Sequence, residues 1–502
     1  MKIMKISAVA AAACLLATSV NADEAKPKRE LKNNMMIVTN ATPKSVDSIA
    51  DMFGEGMFYG RLRTNAFKWD WKADDTWNPV TGKGNNDNKA FGLGGSVVYK
   101  SASYEGLSTM AGLYFTSSPF SSLRDDVADV GATKAGKDTF SRNQVKGAGV
   151  WEYAVLAEAN LQYKISNTTA IAGRQIFESF LTKSNDTKMI PNTFEGFVLE
   201  MKEIPKTTIR GAYFTAQKLR DHTTFHDVIT FKDVNANSWN NNDDSAVHKG
   251  LSYANFSTKG GDVNHELIVV DMRNKSVENL QIDLTYGSVP SVISSITGEL
   301  NYKIDLGGSS LTPGVRYMHQ MDNGGGAIGG AGLSGTVNAT NGAAMGYKDG
   351  GSLDGSLAMA RLVFKTGALK AQVAYSAVGD KGDIVAPWRG FPTGGYTRAM
   401  AQYNWRANTK TTAAEVFYDF GKAKIIPGFS AMARYAMQNF DEAKQAGGVQ
   451  ADSNILHVDL QEKITKDLYA KVRVGLVSAD DRLSGTNQDS YNEYRFELNY
   501  LF

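Results

Sequence analysis

The sequence predicts an all-β protein: a transmembrane antiparallel β-barrel of about eighteen strands behind a short N-terminal periplasmic segment. Three observations predict it. The chain ends YNEYRFELNYLF, with Tyr494, Phe496, Leu498, Tyr500 and Phe502 at every second position and Arg495, Glu497 and Asn499 between them. Strand side chains alternate between two faces, so this strand is aromatic on one face and charged on the other. The same alternation recurs in long segments upstream, and the connections between them are short and long by turns, the pattern of a bacterial outer-membrane barrel. The chain also opens with a segment patterned for export.

That opening, MKIMKISAVAAAACLLATSVNA, has a basic start at Lys2 and Lys5, an apolar stretch from Ile6 to Val20, and small or modest side chains at Val20, Asn21 and Ala22. Residues 1–22 therefore read as a secretory signal peptide cut after Ala22. Cys14 raises a lipoprotein reading, but the apolar run continues through Leu15 and Leu16, and Ala11 stands where a lipid-attachment motif has leucine. Cys14 is the one cysteine, so the mature chain is expected to reach an oxidising compartment without disulfides. The 54 basic and 52 acidic side chains nearly balance, which argues against a nucleic-acid partner. No later apolar run approaches the roughly 20 residues of a membrane helix.

Residues 23–56 form the expected periplasmic segment. Residues 23–35 are Lys-rich and polar and are expected to be disordered. TPKSVDSIADMFGEG reads as a short helix capped by Thr42, with Pro43 in its first turn and a stop at Gly54. Its apolar face, Val46, Ile49, Met52 and Phe53, is expected to rest on the periplasmic end of the barrel.

From Met57 the period changes from 3.6 to 2. FYGRLRTNAF puts Phe58, Leu62 and Ala66 outward and Tyr59, Arg61, Arg63 and Asn65 inward. FGLGGSVVY puts Phe91, Leu93, Val97 and Tyr99 outward, and LSTMAGLYF does so for Leu107, Ala111, Leu113 and Phe115. WEYAVLAEANLQY sets Trp151, Tyr153, Val155, Ala157, Leu161 and Tyr163 against Glu152, Glu158, Asn160 and Gln162. Short turns such as SNTT and EIPKT exchange with long polar loops near 117–148, 176–194, 219–262, 322–354 and 380–408. Pro205, Pro290 and Pro427 fall in turns, as the missing backbone donor requires. Residues 57–502 thus read as one barrel domain whose last strand pairs with its first to remove both edges. The lipid-facing Tyr494, Phe496, Leu498, Tyr500 and Phe502 are the expected signal for the outer-membrane barrel assembly machinery.

The inward positions carry many cations: Arg61, Arg63, Arg174, Arg210, Arg316, Arg361, Arg434, Arg473 and Arg495, with Lys370 and Lys471. Carboxylates accompany them at Glu152, Glu158, Glu200, Asp283, Glu299, Glu415, Asp419 and Glu497. A mixed lining sets a transverse field across a water-filled pore. Arginine's planar fork also matches a carboxylate bidentately. The plainer reading is that each arginine solvates the lumen and pairs with a neighbouring acid.

GRQIFESFLTKSNDTKMIPNTFEGF (173–197) resembles the third-loop segment of the OprD family of outer-membrane porins, at Gly173, Arg174, Gln175, Asn185, Asp186, Lys188, Pro191, Thr193, Phe194 and Gly196. YDFGKAKIIPGFSAMARYAMQNFD (418–441) resembles that family's Tyr-Asp-Phe strand, Pro-Gly turn and Arg-Tyr strand, and the ELNYLF end agrees. The chain departs from the family in its longer N-terminal segment and in Lys188. The resemblance implies an eighteen-stranded barrel narrowed by inward-folded third and seventh loops, with a basic ladder leading small, often carboxylate-bearing, solutes through. It implies a constriction at Arg174, Glu178, Lys183, Asp186 and Lys188, with Arg389 from the 380–398 segment. The ladder would be Arg61, Arg63, Arg210, Arg316, Arg361, Arg434 and Arg473.

The expected function is passive diffusion of small hydrophilic solutes through an outer-membrane porin. The alternatives are a non-selective diffusion porin or a surface structural or adhesin barrel. Expected partners are outer-membrane lipid and lipopolysaccharide, the assembly machinery and the solutes, with the chain a monomer or homotrimer. An enzyme is not expected. The pair His222 and His226 in DHTTFHD lies in a long loop without a nucleophile motif, and neither a metal nor a cofactor is implied.

Overall fold

The computed structural model describes residues 29–31, 37–39, 41, 43–73, 76, 78, 84–134, 136, 139–184, 189–232, 247–386, 390–400 and 403–502. The signal-peptide reading of 1–22 lies outside them, as do Thr42, Asp186, Lys188 and Arg389.

From Met57 the alternating segments pair in chain order into a closed antiparallel barrel of 18 strands. They are β1 (Met57–Trp71), β2 (Asn88–Lys100), β3 (Leu107–Ser117), β4 (Glu152–Ile165), β5 (Thr168–Gln175) and β6 (Thr193–Met201). Then come β7 (Thr207–Lys218), β8 (Leu267–Asn274), β9 (Leu280–Val289), β10 (Ile293–Tyr302), β11 (Ser309–Asp322) and β12 (Gly355–Thr366). The circle is completed by β13 (Leu369–Val378), β14 (Lys410–Asp419), β15 (Phe429–Asn439), β16 (Ser453–Lys463), β17 (Leu468–Ala479) and β18 (Tyr491–Leu501). Closure leaves no unpaired edge in lipid, where water could not satisfy it. β18 pairs with β1 from Tyr491↔Trp71 to Leu501↔Arg61. The terminal Phe502 extends the ladder, donating to the Gly60 carbonyl at 3.1 Å and accepting from its amide at 2.9 Å.

The alternation expected of each strand is seen directly in burial. On β18, Tyr494, Phe496 and Tyr500 are exposed outward while Glu493, Glu497 and Asn499 are buried inward. On β16, Leu456 and Leu460 face out and His457 faces in. The connections alternate as expected. At one end they are short, and that end is periplasmic in bacterial barrels. At the other end the third (176–192), fourth (219–266), sixth (323–354), seventh (379–409) and eighth (440–452) outer connections are loops.

Four expectations are corrected. In β4 a β-bulge shifts the register: Gly112 pairs with Glu158 but Leu113 pairs with Leu156. Ala157 is the extra residue, and it changes the phase of the strand. Tyr153 and Val155 therefore point inward, into a cluster with Tyr59, Val98, Tyr114, Met189 and Ile190. Leu156 and Glu152 take the outward face instead.

Arg174 is also on the outward face. Its cross-strand partners are Ala159 and Glu195, in the same row as Leu161, Ala172 and Phe197. Thr169, Ile171 and Gly173 face in, while Ala170 and Ala172 face out; small residues on both sides hide the parity of this strand.

The N-terminal helix, α1 (Ile49–Gly54), is capped by Ser48, whose hydroxyl accepts from the Asp51 amide. Ser45–Val46 does not join it, pairing in parallel with Ser103–Tyr104 at the β2–β3 turn. Finally, Arg29–Leu31, within the segment expected to lack structure, pairs with Ile37–Thr39. Ile37 packs against the lumenal Tyr59 cluster.

Candidate functional site

The third loop folds back against the inside of the wall. Phe177, Leu181, Met189 and Ile190 are buried, and Phe194, the residue after the start of β6, is fully buried. Phe194 stacks on Phe214 of β7 at 4.9 Å, and Phe177 meets the same ring edge-on at 5.3 Å. Each such side chain contributes about 1.5–3 kcal/mol when fully withdrawn from water. Wall arginines hold the loop backbone as well. Arg210 donates to the Glu178 carbonyl at 2.5 Å, and Arg61 donates to that of Met189 at 3.4 Å.

The seventh loop enters from the opposite side. Ile384, Val385, Tyr396 and Trp405 are buried in a core shared with the third, fourth and sixth loops. Asp383, fully buried, accepts from the Leu333 amide at 2.8 Å, the Ala407 amide at 2.7 Å, the Tyr347 hydroxyl at 3.0 Å and Arg406 at 2.9 Å. These four donors replace the hydration that a buried carboxylate loses. Arg316 donates to the carbonyls of Pro392 at 2.8 Å and Gly394 at 3.3 Å. Arg361 donates to Gly395 at 3.2 Å, and Arg434 to the Arg398 carbonyl.

A guanidinium has five N–H groups, enough to bind a loop carbonyl and a wall carboxylate together. Arg210 pairs with Asp271 at 2.6 Å. Glu299 takes both Arg316, at 2.6 Å from Nε, and Arg361, at 3.1 Å. Arg434 pairs with Glu415, which also accepts from Lys370 at 2.7 Å. Arg473 and Lys471 share Asp459 at 3.3 and 3.2 Å. Arg63 pairs with Glu497, and Arg495 with Glu493. Seven inward arginines, Arg63, Arg210, Arg316, Arg361, Arg434, Arg473 and Arg495, thus pair with acids, as the plainer reading expected. Four of them, Arg210, Arg316, Arg361 and Arg434, also fasten the two constricting loops, as Arg61 does.

Between the loops remains a cavity of about 600 Å³. Eight cationic side chains line it: Lys183, Arg273, Arg316, Arg398, Arg434, Lys471, Arg473 and Arg495. Four carboxylates do: Asp271, Asp283, Glu299 and Asp459. Three of those carboxylates stand on β8–β10, whereas Arg434, Lys471, Arg473 and Arg495 stand on β15, β17 and β18. The lumen therefore has an arc richer in acids around β8–β10 and an arc richer in bases around β15–β18, each crossed by one opposite charge, Arg273 on β8 and Asp459 on β16.

Of the residues named from sequence, Lys183 lines this cavity with Arg316, Arg434 and Arg473. Arg210 and Arg361 stand behind the loops they hold, and Glu178 contributes its carbonyl. Arg61 and Arg63 are buried on the wall beyond the cavity. Arg174 is elsewhere: it pairs outward with Glu195 at 2.8 Å, with its guanidinium 4.3 Å from the Phe225 ring. Arg273, Asp271, Asp459 and Arg398 were not singled out. The first three were legible as charged residues at alternate positions in VVDMRN and HVDLQ, whereas Arg398 is a loop residue with no periodicity to place it.

Known proteins share this architecture. The family model for the outer membrane porin, OprD family, matches residues 128–502. The crystal structure of Pseudomonas aeruginosa OccK8 (OprE) superposes with a TM-score of 0.66 at 15% identity, covering 90% of this chain and 99% of that one. Acinetobacter baumannii OccAB1 gives 0.66 at 16%, covering 90% and 97%. Pseudomonas aeruginosa OpdK, crystallised with vanillate, gives 0.61 at 14%, covering 90% and 99%. At such identities these likenesses speak for the fold. No curated protein sequence matches the chain. A closed barrel with inward-folded loops, together with a family match across most of its length, makes this chain a member of the OprD family of outer-membrane porins.

Proposed function

We propose that this porin favours small anionic, carboxylate-bearing solutes, conducting them along the basic arc between the third and seventh loops. One observation carries the reading: eight cationic side chains and four carboxylates line the cavity, and cations still outnumber acids when Glu415 and Glu493, paired with Arg434 and Arg495, are added, in a chain whose 54 basic and 52 acidic residues nearly cancel. The excess is local to the lumen. In a narrow throat with an effective dielectric near 20, unit charges about 4 Å apart interact by about 4 kcal/mol, against about 1 kcal/mol in bulk water. Arg473, Lys471 and Arg398 can therefore bias solutes that pass within contact distance. The guanidinium fork adds two-point recognition of a carboxylate.

The test is reversal potential in planar bilayers under a salt gradient, followed by substitution of chloride with small organic acids. Arg473→Glu and Arg398→Glu are expected to lower anion preference several-fold. Arg174→Glu, on the outward face, is expected to leave it unchanged. Equal permeability of anions and cations in the native chain would identify a general diffusion porin instead.

A further inference from the structure

The short-turn end of the barrel is more apolar than the loop end. Five of its eight connections expose an aliphatic side chain: Ile204, Val277, Leu306, Ile425 and Ile464, each between 49% and 60% accessible. Turns are ordinarily polar because their backbone groups face water. The outer connections are several-fold longer in total, yet among the described residues they expose Leu123, Val127 and Leu483 as their aliphatics. The apolar residues of the turns also have basic companions. Lys202 and Lys206 flank Ile204, Lys275 precedes Val277, and Lys463 and Lys466 flank Ile464. Carboxylates share these turns, and one of them, Glu203, is spent on the neighbouring turn through the Asn167 amide at 2.9 Å and Thr168 at 2.9 Å.

Helix α1 continues the same ring where the β2–β3 turn has none of its own. Met52 is buried, and its carbonyl accepts from the Ala102 amide at 2.9 Å. Ile49 and Phe53, four residues apart and so on one face, are 60% and 55% exposed. Asp51 and Glu55 lie away from them. The helix is moored to the lipid-facing side of the wall: the outward Tyr99 donates its hydroxyl to the Phe53 carbonyl at 2.6 Å and packs on Phe58 at 4.9 Å. Its exposed edge is therefore continuous with the outward aromatic rows.

We propose that the turn aliphatics and the Ile49–Phe53 edge of α1 form a membrane-binding rim, seated at the headgroup–acyl boundary of the periplasmic phospholipid leaflet, with the adjacent lysines at lipid phosphates. The apolar side chains gain by leaving water, and the lysines reach the headgroups along their own methylenes. The rim fixes how deeply the barrel sits. It also holds α1 against the membrane surface.

The experiment uses the full barrel in a Cys14→Ser background, reconstituted in phospholipid vesicles, with one nitroxide-labelled cysteine per variant. Phe53→Cys, Ile204→Cys, Val277→Cys and Ile464→Cys report the rim. Asp51→Cys, Glu278→Cys and Asp467→Cys are the polar neighbours. Heat-modifiable gel mobility shows that each barrel is folded, and the turn sites remain informative if the helix variant fails. The ratio of collision with dissolved oxygen to collision with an aqueous nickel chelate is expected to be several-fold higher at the apolar sites. Equal ratios at both sets would overturn the proposal, and so would protection of the apolar sites from both reagents, which would mean that protein covers them.

Discussion

The guanidinium of Arg361 lies 4.2 Å from the ring centre of Tyr396, and that of Arg316 lies 4.8 Å from it, so two wall arginines bracket one buried loop tyrosine. Glu299 binds both arginines, and both donate to carbonyls just before the tyrosine in the chain. The cluster fastens the seventh loop to the wall. Desolvated cation–π contacts contribute about 2 kcal/mol each. Tyr396→Ala is expected to free the loop while leaving the barrel folded. Unitary conductance and low-frequency current noise should both rise, and an unchanged single-channel trace would place the clamp elsewhere.

The chain end makes a second prediction. The Phe502 ring covers Gly60, where an added Cβ would stand 2.1 Å from the Ser96 carbonyl and 2.5 Å from the ring. Gly60→Leu should therefore impair closure of β18 on β1. Phe502→Asp should impair assembly in cells while leaving refolding in detergent possible. The readout is the amount of heat-modifiable barrel in outer-membrane fractions. Native levels in both variants would show that the ring-over-glycine contact is dispensable.

The bulge at Ala157 makes a third. Arg substituted at Leu460 or Leu156 is expected to cost about 2–4 kcal/mol if near the bilayer midplane, and Arg at Gln461 far less. Strict alternation would exempt Leu156, so that position separates the two registers. Val155→Arg should also destabilise, by placing an unpaired charge among Tyr59, Tyr114 and Ile190, where the third loop is seated. Equilibrium unfolding in vesicles checks all four. A neutral Leu156→Arg would return β4 to simple alternation.

The outer loops carry a pH prediction. Lys444 of the eighth loop is buried and bonds Asp380 of the seventh loop at 2.6 Å and Asp441 of its own. Burial opposes all three charges. Hydrogen bonds from Lys444 and Lys348 nevertheless hold Asp380 below its ordinary 3.8, and Asn408 with Lys444 does the same for Asp441. The two acids hold the Lys444 ammonium above its ordinary 10.5. Depressed acids stabilise fully above their unfolded value and are lost as pH falls; a raised lysine stabilises below its unfolded value and is lost as pH rises. The tether should therefore stay intact from about pH 5 to about pH 9 and loosen below about pH 4. Current noise against pH should be flat over that range and rise in acid, with Lys444→Met noisy throughout. A transition centred near neutrality, identical in both proteins, would rule out this tether.

The sequence by itself determined the barrel, its strand number, the alternation of turns and loops and the closing of β18 on β1. All of these rest on a period of two, which is local to each strand and survives without its neighbours. It also marked the arginines and the third and seventh loops. Only the tertiary structure decided which way Tyr153, Val155 and Arg174 point. A bulge is settled by the neighbouring strand, and TTAIAGRQ has small residues on both faces, so nothing local fixes its parity. The same holds for the lumen. That Arg61, Arg210, Arg316, Arg361 and Arg434 hold loop carbonyls, and that Arg316 and Arg434 line the cavity with Lys183, Arg398, Lys471 and Arg473, is a result of how irregular loops pack inside the wall, and their chain order carries no periodicity from which that packing could be read.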